Sequence, residues 1–316
     1  MKKDQKPVVA VIGAGTMGHG IAQCFAAKGW RVRLHDLDPA ALRRAPERIA
    51  ANLETFLDLG LIGPGEAEAC LENLEPEPDL AAALAGAGLV IETVTEDLEI
   101  KRRLFAGMEP LAEQKAILAT NTSALPIGLI SQGLRRPQRV VGTHFWNPPH
   151  ILPCVEVVKS RFTDQETFDR TVEIMESIGK EPVRVLKDIP GFLGNRLQQA
   201  LQREALSLVE SGAAEAKEVD RVVRSGFGLR LALMGPLERA DLGGLDVTRE
   251  VQRTILPHLA SGSGPSPLLE EKVKAGELGV KTGRGFYDWP PQRAARTIKE
   301  RDRLLLRIIR LIRGSG

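Results

Sequence analysis

The sequence predicts an α/β protein, with a doubly wound parallel sheet in the N-terminal part and an all-α C-terminal domain behind it. Three observations carry that expectation. A strand, a glycine loop, a helix and a second strand open the chain; strands and helices alternate as far as residue 158; from Phe192 onward every apolar pattern has the helical period. The segment Asp188-Ile189-Pro190-Gly191 reads as a hinge, which divides the chain into residues 1–187 and 188–316.

The first element is the buried strand Val8-Val9-Ala10-Val11-Ile12. Gly13-Ala14-Gly15-Thr16-Met17-Gly18 follows at once, then a helical run over residues 21–28 that Gly29 ends. Arg31 to His35 alternate as a second strand, with Asp36 at its tip. Strand, G-x-G-x-x-G, helix, strand and acid stand in the order and spacing of a Rossmann dinucleotide-binding unit. Gly13 and Gly15 permit a tight turn and close approach of a pyrophosphate to the N–H groups of a helix N-terminus. Gly18 lets helix and strand pack closely, and Thr16 and Met17 count with the same loop. Asp36 would accept hydrogen bonds from ribose hydroxyls and repel a 2′-phosphate, which selects NAD over NADP. A bare glycine motif is weak; its flanking strands and acid make it specific.

Further strands are predicted over residues 89–92, 116–120 and 140–144, separated by helical stretches such as 97–108. Ligands in such sheets gather at the carboxyl ends of the strands. Glu92, Asn121, Ser123 and His144 all fall at those ends. Twelve residues after His144, Glu156 lies inside a second apolar strand, Cys154-Val155-Glu156-Val157-Val158. A carboxylate among β-branched residues is costly to bury unless it meets a proton donor or a positive charge. The Pro-rich turn over residues 147–153 would set Glu156 beside His144 and make the histidine a general base of fixed tautomer. The plain alternatives are a core histidine, a stray strand acid, and for Ser123 a turn residue before Pro126.

In the second domain, helices are predicted over residues 193–209, 214–224, 237–256, 267–275 and 294–312, the third stopped by Pro257. Asn195 lies in the first turn of the first of them, either as a helix-start residue or as a side chain pointed across a cleft. The arginines of the last helix read as a solvated face.

Composition narrows the function. A net charge of +2 with both signs mixed leaves no electrostatic footprint for nucleic acid. Cys24, Cys70 and Cys154 are far apart in sequence and form no CxxC pair, so neither a zinc site nor a disulfide framework is expected. Met1 to Lys6 is basic, but the apolar run behind it is too short for a signal peptide or a membrane span. The chain therefore reads as a cytoplasmic protein without a membrane partner or a metal.

Over residues 7–290 the sequence resembles the L-3-hydroxyacyl-CoA dehydrogenase family. The shared motifs are GAGTMGHG, E-D-L-x-x-K at Glu96–Lys101, NTSALPI from Asn121, HFWNPP from His144, VEVV from Val155, PGFLGNRL from Pro190, GPLERADLGGLDV from Gly235 and KTGRGFYDW from Lys281. The resemblance implies an NAD-dependent enzyme of fatty-acid metabolism with a helical, homodimer-forming C-terminal domain. It implies that His144 takes the proton of a 3-hydroxyl group while hydride leaves for the nicotinamide, and that Glu156 orients it. Ser123 and Asn195 would hydrogen-bond the reacting oxygen and the neighbouring carbonyl. Glu96, Lys101, Asn121 and Lys281 would line the cofactor cleft.

The substrate stays open between a 3-hydroxyacyl-CoA and a free 3-hydroxy acid. Thioester-specific members usually carry a lysine where this chain has Pro153, and the run from Asn147 to Glu156 is more similar to the branch that takes gulonate, carnitine or a hydroxymethylpyridine carboxylate. Residues 49–100 contain no Lys, Arg or His but twelve acids, eight of them between Glu54 and Asp79. A CoA phosphate laid there would meet repulsion, relieved only by Arg43, Arg44 and Arg48 upstream. For the carboxylate of a free acid, Lys281, Arg230 and Arg239 are the cations the second domain offers. The related 3-hydroxyisobutyrate-type enzymes use a lysine four residues before the helix asparagine; here that residue is Gly191. A crystallin-like structural protein would not need Ser123, His144, Glu156 and Asn195, all of which are present.

Overall fold

The computed structural model describes residues 7–314; the basic segment Met1 to Lys6 lies outside them. The chain divides into two compact units, Met1–Arg196 and Leu197–Gly316. The first unit contains β1 (Val8–Ile12), α1 (Gly18–Ala26), β2 (Arg31–His35), α2 (Pro39–Asp58), α3 (Pro64–Glu72), β3 (Leu74–Pro76), α4 (Leu80–Leu84), β4 (Leu89–Glu92), α5 (Leu98–Met108), β5 (Ile117–Thr120), α6 (Ile127–Ser131), β6 (Val140–Phe145), β7 (Cys154–Val158), α7 (Gln165–Ser177) and β8 (Glu181–Val185). Its eight strands form one sheet in the order β3-β2-β1-β4-β5-β6-β7-β8.

From β3 to β6 every pairing is parallel, and β7 pairs parallel with β8, but β6 meets β7 antiparallel. The sheet is therefore mixed where the sequence pattern predicted a parallel one. The reason is the turn over residues 147–153, which reverses the chain instead of crossing over, as a short connection must. That reversal sets His144 opposite Glu156 in the ladder.

Both faces of the central strands are covered, which explains their unbroken apolar runs. On one face Val9, Val11, Leu34 and Ile91 pack with Phe25, Ile49 and Phe168. On the other, Ala10, Ile12, Val90 and Leu118 pack with Phe105, Met108, Ile127 and Phe192. Phe105 on α5 is fully buried, and removing such a ring costs about 3–5 kcal/mol. The same helix starts at Asp97, whose side chain accepts from Ile100 N at 2.9 Å; losing that cap costs about 1 kcal/mol.

In register with their neighbours, β1, β4, β5 and β6 all point their carboxyl ends the same way. The glycine loop, Glu92, the loop from Asn121 and His144 follow from those ends, so the site is a consequence of strand order.

The chain continues through α8 (Gly194–Glu210), which begins in the first unit, and then α9 (Ala216–Ser225), α10 (Phe227–Leu231), α11 (Pro236–Gly243), α12 (Leu245–Ile255), α13 (Pro267–Lys274) and α14 (Pro291–Arg313). The single helix predicted over residues 237–256 is two. Gly244 breaks it with φ +90°, a conformation that the right-handed helix does not contain, and a Cβ there would meet the Asp246 carboxylate at 2.8 Å. Among the described residues of this second unit only Val219, Ala294 and Leu306 are buried apolar side chains, while Leu201, Leu208, Leu237, Leu242, Leu245 and Val251 are exposed. No described helix is long and apolar enough to cross a membrane.

Candidate active site

At the N-terminal end the glycines divide the work. Gly13 has φ +107°, and a Cβ on it would come within 2.6 Å of Thr93 Oγ1. A Cβ on Gly18 would lie 1.7 Å from the carbonyl oxygen of Gly13. Gly13 is needed where the loop meets the residue after β4, and Gly18 where α1 packs against the loop. Gly15 differs: a Cβ there would meet nothing within 4 Å. Its missing side chain leaves open space beside the start of α1, which is where a pyrophosphate needs backbone N–H groups. Thr16 is exposed and Met17 half-buried in the same loop.

Asp36 is half-buried just past β2. Its Oδ2 accepts from Ala14 N at 2.7 Å and its Oδ1 from Asp38 N at 2.8 Å. The carboxylate thus ties the second strand to the glycine loop, and carboxylate lone pairs remain for ribose hydroxyls. His19, on the first turn of α1, donates its Nδ1–H to the Gly15 carbonyl at 2.7 Å. Burial, helped by nearby Arg48, pushes this imidazole below its ordinary value against the pull of that hydrogen bond.

A second cluster ties β4, α5 and the loop from Asn121 together. Lys101 is 1 % exposed and bonds Glu92 Oε1 at 2.6 Å; Glu92 is fully buried and also accepts from Thr120 Oγ1 at 2.7 Å. The lysine expected to line a cofactor cleft is thus paired with a buried carboxylate, and its Nζ also lies 3.5 Å from Glu96 Oε2. Glu96 Oε1 accepts from Thr122 Oγ1 at 2.5 Å, Ser123 N at 2.8 Å and Ala124 N at 3.1 Å. Burial alone would raise its carboxyl, but these donors and Lys101 together hold it below the usual carboxylate range. Ser123 is exposed on a loop that Glu96 holds still. Asn121 is turned inward, its Oδ1 accepting from Phe145 N at 2.9 Å, which pins the end of β6 beside His144.

His144 and Glu156 are both buried, and Nδ1 donates to Glu156 Oε2 at 2.7 Å. The other carboxylate oxygen, Oε1, accepts from Leu193 N at 2.9 Å and Gly194 N at 3.0 Å, the amides just before and at the start of α8. Burial pushes the Glu156 carboxyl up; the hydrogen bonds from His144, Gly194 and Leu193 outweigh it and hold the group ionised below its usual range. One residue on, Asn195 Nδ2 donates to the carbonyl oxygen of Ser123 at 2.7 Å. Two sets of hydrogen bonds, His144–Glu156–Gly194 and Asn195–Ser123, are therefore joined through the adjacent residues Gly194 and Asn195. Lys281, in an exposed turn, and Arg230 and Arg239, both exposed, belong to the second unit.

Sequence reasoning passed over the amides of Leu193 and Gly194, since every residue carries an N–H and only the fold aims it. It also passed over Trp146 and Phe192, whose rings lie 5.3 and 5.8 Å from the imidazole, centroid to centroid. Their nearness to His144 and to the hinge was the available signal. Among the described residues no group of three or more His, Cys, Asp or Glu is placed to hold a metal ion.

A glycine loop on a helix N-terminus, an acid after the second strand and an imidazole held by a carboxylate define an NAD-dependent oxidoreductase. Comparison with known proteins gives the family. Residues 8–189 match the NAD-binding domain of 3-hydroxyacyl-CoA dehydrogenase, and residues 191–289 match its C-terminal domain. The chain belongs to the 3-hydroxyacyl-CoA dehydrogenase family. It is 36 % identical to 5-formyl-3-hydroxy-2-methylpyridine 4-carboxylate 5-dehydrogenase of Mesorhizobium japonicum, covering 97 % of this chain and 98 % of that protein. It is 37 % identical to 3-hydroxybutyryl-CoA dehydrogenase of Mycobacterium tuberculosis, covering 89 % and 98 %. A crystal structure of 5-formyl-3-hydroxy-2-methylpyridine 4-carboxylic acid 5-dehydrogenase, described as an NAD+-dependent dismutase, superimposes with a TM-score of 0.92 at 34 % identity, over 98 % of this chain and 99 % of that one.

Proposed function

We propose that this enzyme oxidises the hydroxyl-bearing carbon of a small free hydroxy acid, with NAD as hydride acceptor and without CoA. The relay from the start of α8 through Glu156 to His144 carries the chemistry. With Nδ1–H given to the carboxylate, Nε2 keeps its lone pair and takes the hydroxyl proton as the C–H electron pair leaves the carbon and a carbonyl forms. Glu156 then faces the imidazolium, its own charge kept by two amides. The Ser123 hydroxyl and the Asn195 amide hydrogen-bond the reacting oxygen and the neighbouring carbonyl group. Gly13, Gly15, Thr16, Met17, Gly18, Asp36, Asn121 and Glu96 make the cofactor side, with Lys101 acting through Glu96. NAD, when bound, supplies the hydride acceptor.

Three observations support a free acid. Exposed Glu54, Asp58, Glu68 and Glu72 give α2 and α3 an acidic surface where a CoA arm would need cations. Pro153 replaces the lysine usual in thioester-specific members. The Mesorhizobium relative, similar along almost the whole chain, is named for a pyridine carboxylate. A second reading, a short 3-hydroxyacyl-CoA in fatty-acid metabolism, is favoured by Arg43, Arg44 and Arg48 on α2. NADH absorbance with a panel of free 3-hydroxy acids, a hydroxymethylpyridine carboxylate and 3-hydroxyacyl-CoAs separates them. Thermal shifts with CoA alone give a second arm: a clear shift returns the chain to thioester chemistry, whereas a free-acid enzyme shows none.

The assembly we infer is a homodimer through the helical domain. Its support is the exposed leucines of the second unit, too many for an isolated domain to leave wet. Sedimentation showing a monomer at micromolar concentration would remove it. A cytoplasmic location is supported by three free cysteines, two of them buried, and no disulfide among the described residues.

A further inference from the structure

We propose that Trp146 sets substrate specificity: its indole is a flat apolar wall beside His144, onto which an aromatic ring of the substrate stacks. The inference rests on His144 being the base, and it goes further by naming the kind of acid this site prefers.

Trp146 follows His144 by two residues, one position past the end of β6. Their rings lie 5.3 Å apart, tilted by 53°. Phe192 contacts the imidazole as well, at 5.8 Å, but is fully buried and so offers nothing to a ligand. Trp146 is only half-buried. Of the two aromatic neighbours of the base, the indole is the one with surface left to give.

The position of the indole is fixed by a specific vacancy. A Cβ at Gly194 would stand 2.1 Å from Trp146 Cζ2, 2.9 Å from Cη2 and 3.2 Å from Cε2. The benzo edge therefore lies flush on the first peptide of α8, and any other residue at position 194 would drive it off. The same Gly194 peptide donates its N–H to Glu156. One main-chain unit thus seats both the carboxylate that orients His144 and the wall beside it. A hydroxyl bonded to Nε2 is within about 3 Å of the imidazole, and the indole lies 5.3 Å from that ring, so the next few atoms of the substrate come within its reach. A planar ring gains offset-stacked or edge-on contact there; a flexible aliphatic chain gains only ordinary apolar contact.

The test uses Trp146→Ala, Trp146→Phe and Gly194→Ala in the full-length enzyme with NAD. For the hydroxymethylpyridine carboxylate, Trp146→Ala should raise KM roughly ten-fold with kcat changed less than about three-fold, while KM for 3-hydroxybutyrate stays within about two-fold. Trp146→Phe should keep most of the ring preference, and Gly194→Ala should lose it. Equal losses on ring and aliphatic acids, or none on either, overturn the proposal. Binding is read separately, by quenching of tryptophan fluorescence with the pyridine carboxylate in the presence of NADH. Trp146→Phe should remove the quench, although Trp30 and Trp289 remain; an undiminished quench, or no binding by the wild type, also overturns it. If the wild type binds the ring acid at Trp146 but oxidises no hydroxy acid, the functional reading fails while the stacking contact at Trp146 stands.

Discussion

The amide of Gly194 donates to Glu156 Oε1 at 3.0 Å while Glu156 Oε2 accepts from His144, so the helix that carries Asn195 begins on the carboxylate that orients the base. A change at either end of that bridge is felt at both.

His144→Gln should lower kcat by at least about 10²-fold, the usual weight of a general base, and leave NADH binding intact. Glu156→Gln should lower it less, since an amide oxygen still orients the ring but brings no charge to the imidazolium. Steady-state rates with NADH titration by fluorescence check both. Near-normal turnover in His144→Gln removes this residue from the mechanism.

Stability should carry the same signature. The carboxyl of Glu156 is held below its unfolded value, burial being outweighed by its three donors. A depressed acid stabilises the folded state above its unfolded value, near pH 4.3, and loses that contribution as pH falls through the lower folded value. Glu156→Gln should therefore be less stable than the wild type at pH 7, by about 1–3 kcal/mol. The gap should narrow below about pH 4. Urea midpoints at pH 7 and pH 3.5 measure it; a gap independent of pH would mean that the charge contributes nothing.

Gly15 and Gly18 should separate cofactor binding from folding. Gly18→Ala puts a methyl 1.7 Å from the Gly13 carbonyl oxygen and should destabilise the protein by at least about 2 kcal/mol. Gly15→Ala meets no protein atom, so its Tm should match the wild type while NADH affinity falls about ten-fold or more. Equal Tm values for both variants would contradict the division of labour.

Asp36→Asn keeps an acceptor for Ala14 N and removes the charge. It should weaken NAD and relax the discrimination against NADP, because the 2′-phosphate no longer faces a carboxylate. The ratio of kcat/KM for the two cofactors reports it. A wild type that already prefers NADP would refute this assignment.

Much of the molecule was legible in the chain because local patterns carry it. The glycine loop, the acid at position 36 and the apolar strands are consequences of sterics and periodicity that act over a few residues. Glu156 announced itself as a carboxylate too costly to bury without a partner, and His144 was the partner within reach of one turn. The break at Gly244 was missed because the apolar helical period continues on both sides of it. The contact of Lys101 with Glu92 was not legible, because nothing near the lysine in sequence shows that Glu92 comes up from the neighbouring strand end.

By itself, then, the sequence determined six of the eight strands, the dinucleotide loop and the pairing of base and acid, all of which depend on short-range sterics and on the cost of burying charge. Only the tertiary structure decided which groups without a side-chain signature do the holding. The amides of Leu193 and Gly194, the rear support of Ser123 by Glu96 and the seat of Trp146 on a bare peptide come from elements far apart in the chain. Hydrogen bonds and van der Waals contacts act over a few ångströms in space, and no pattern along the chain encodes which backbone atoms that distance will bring together.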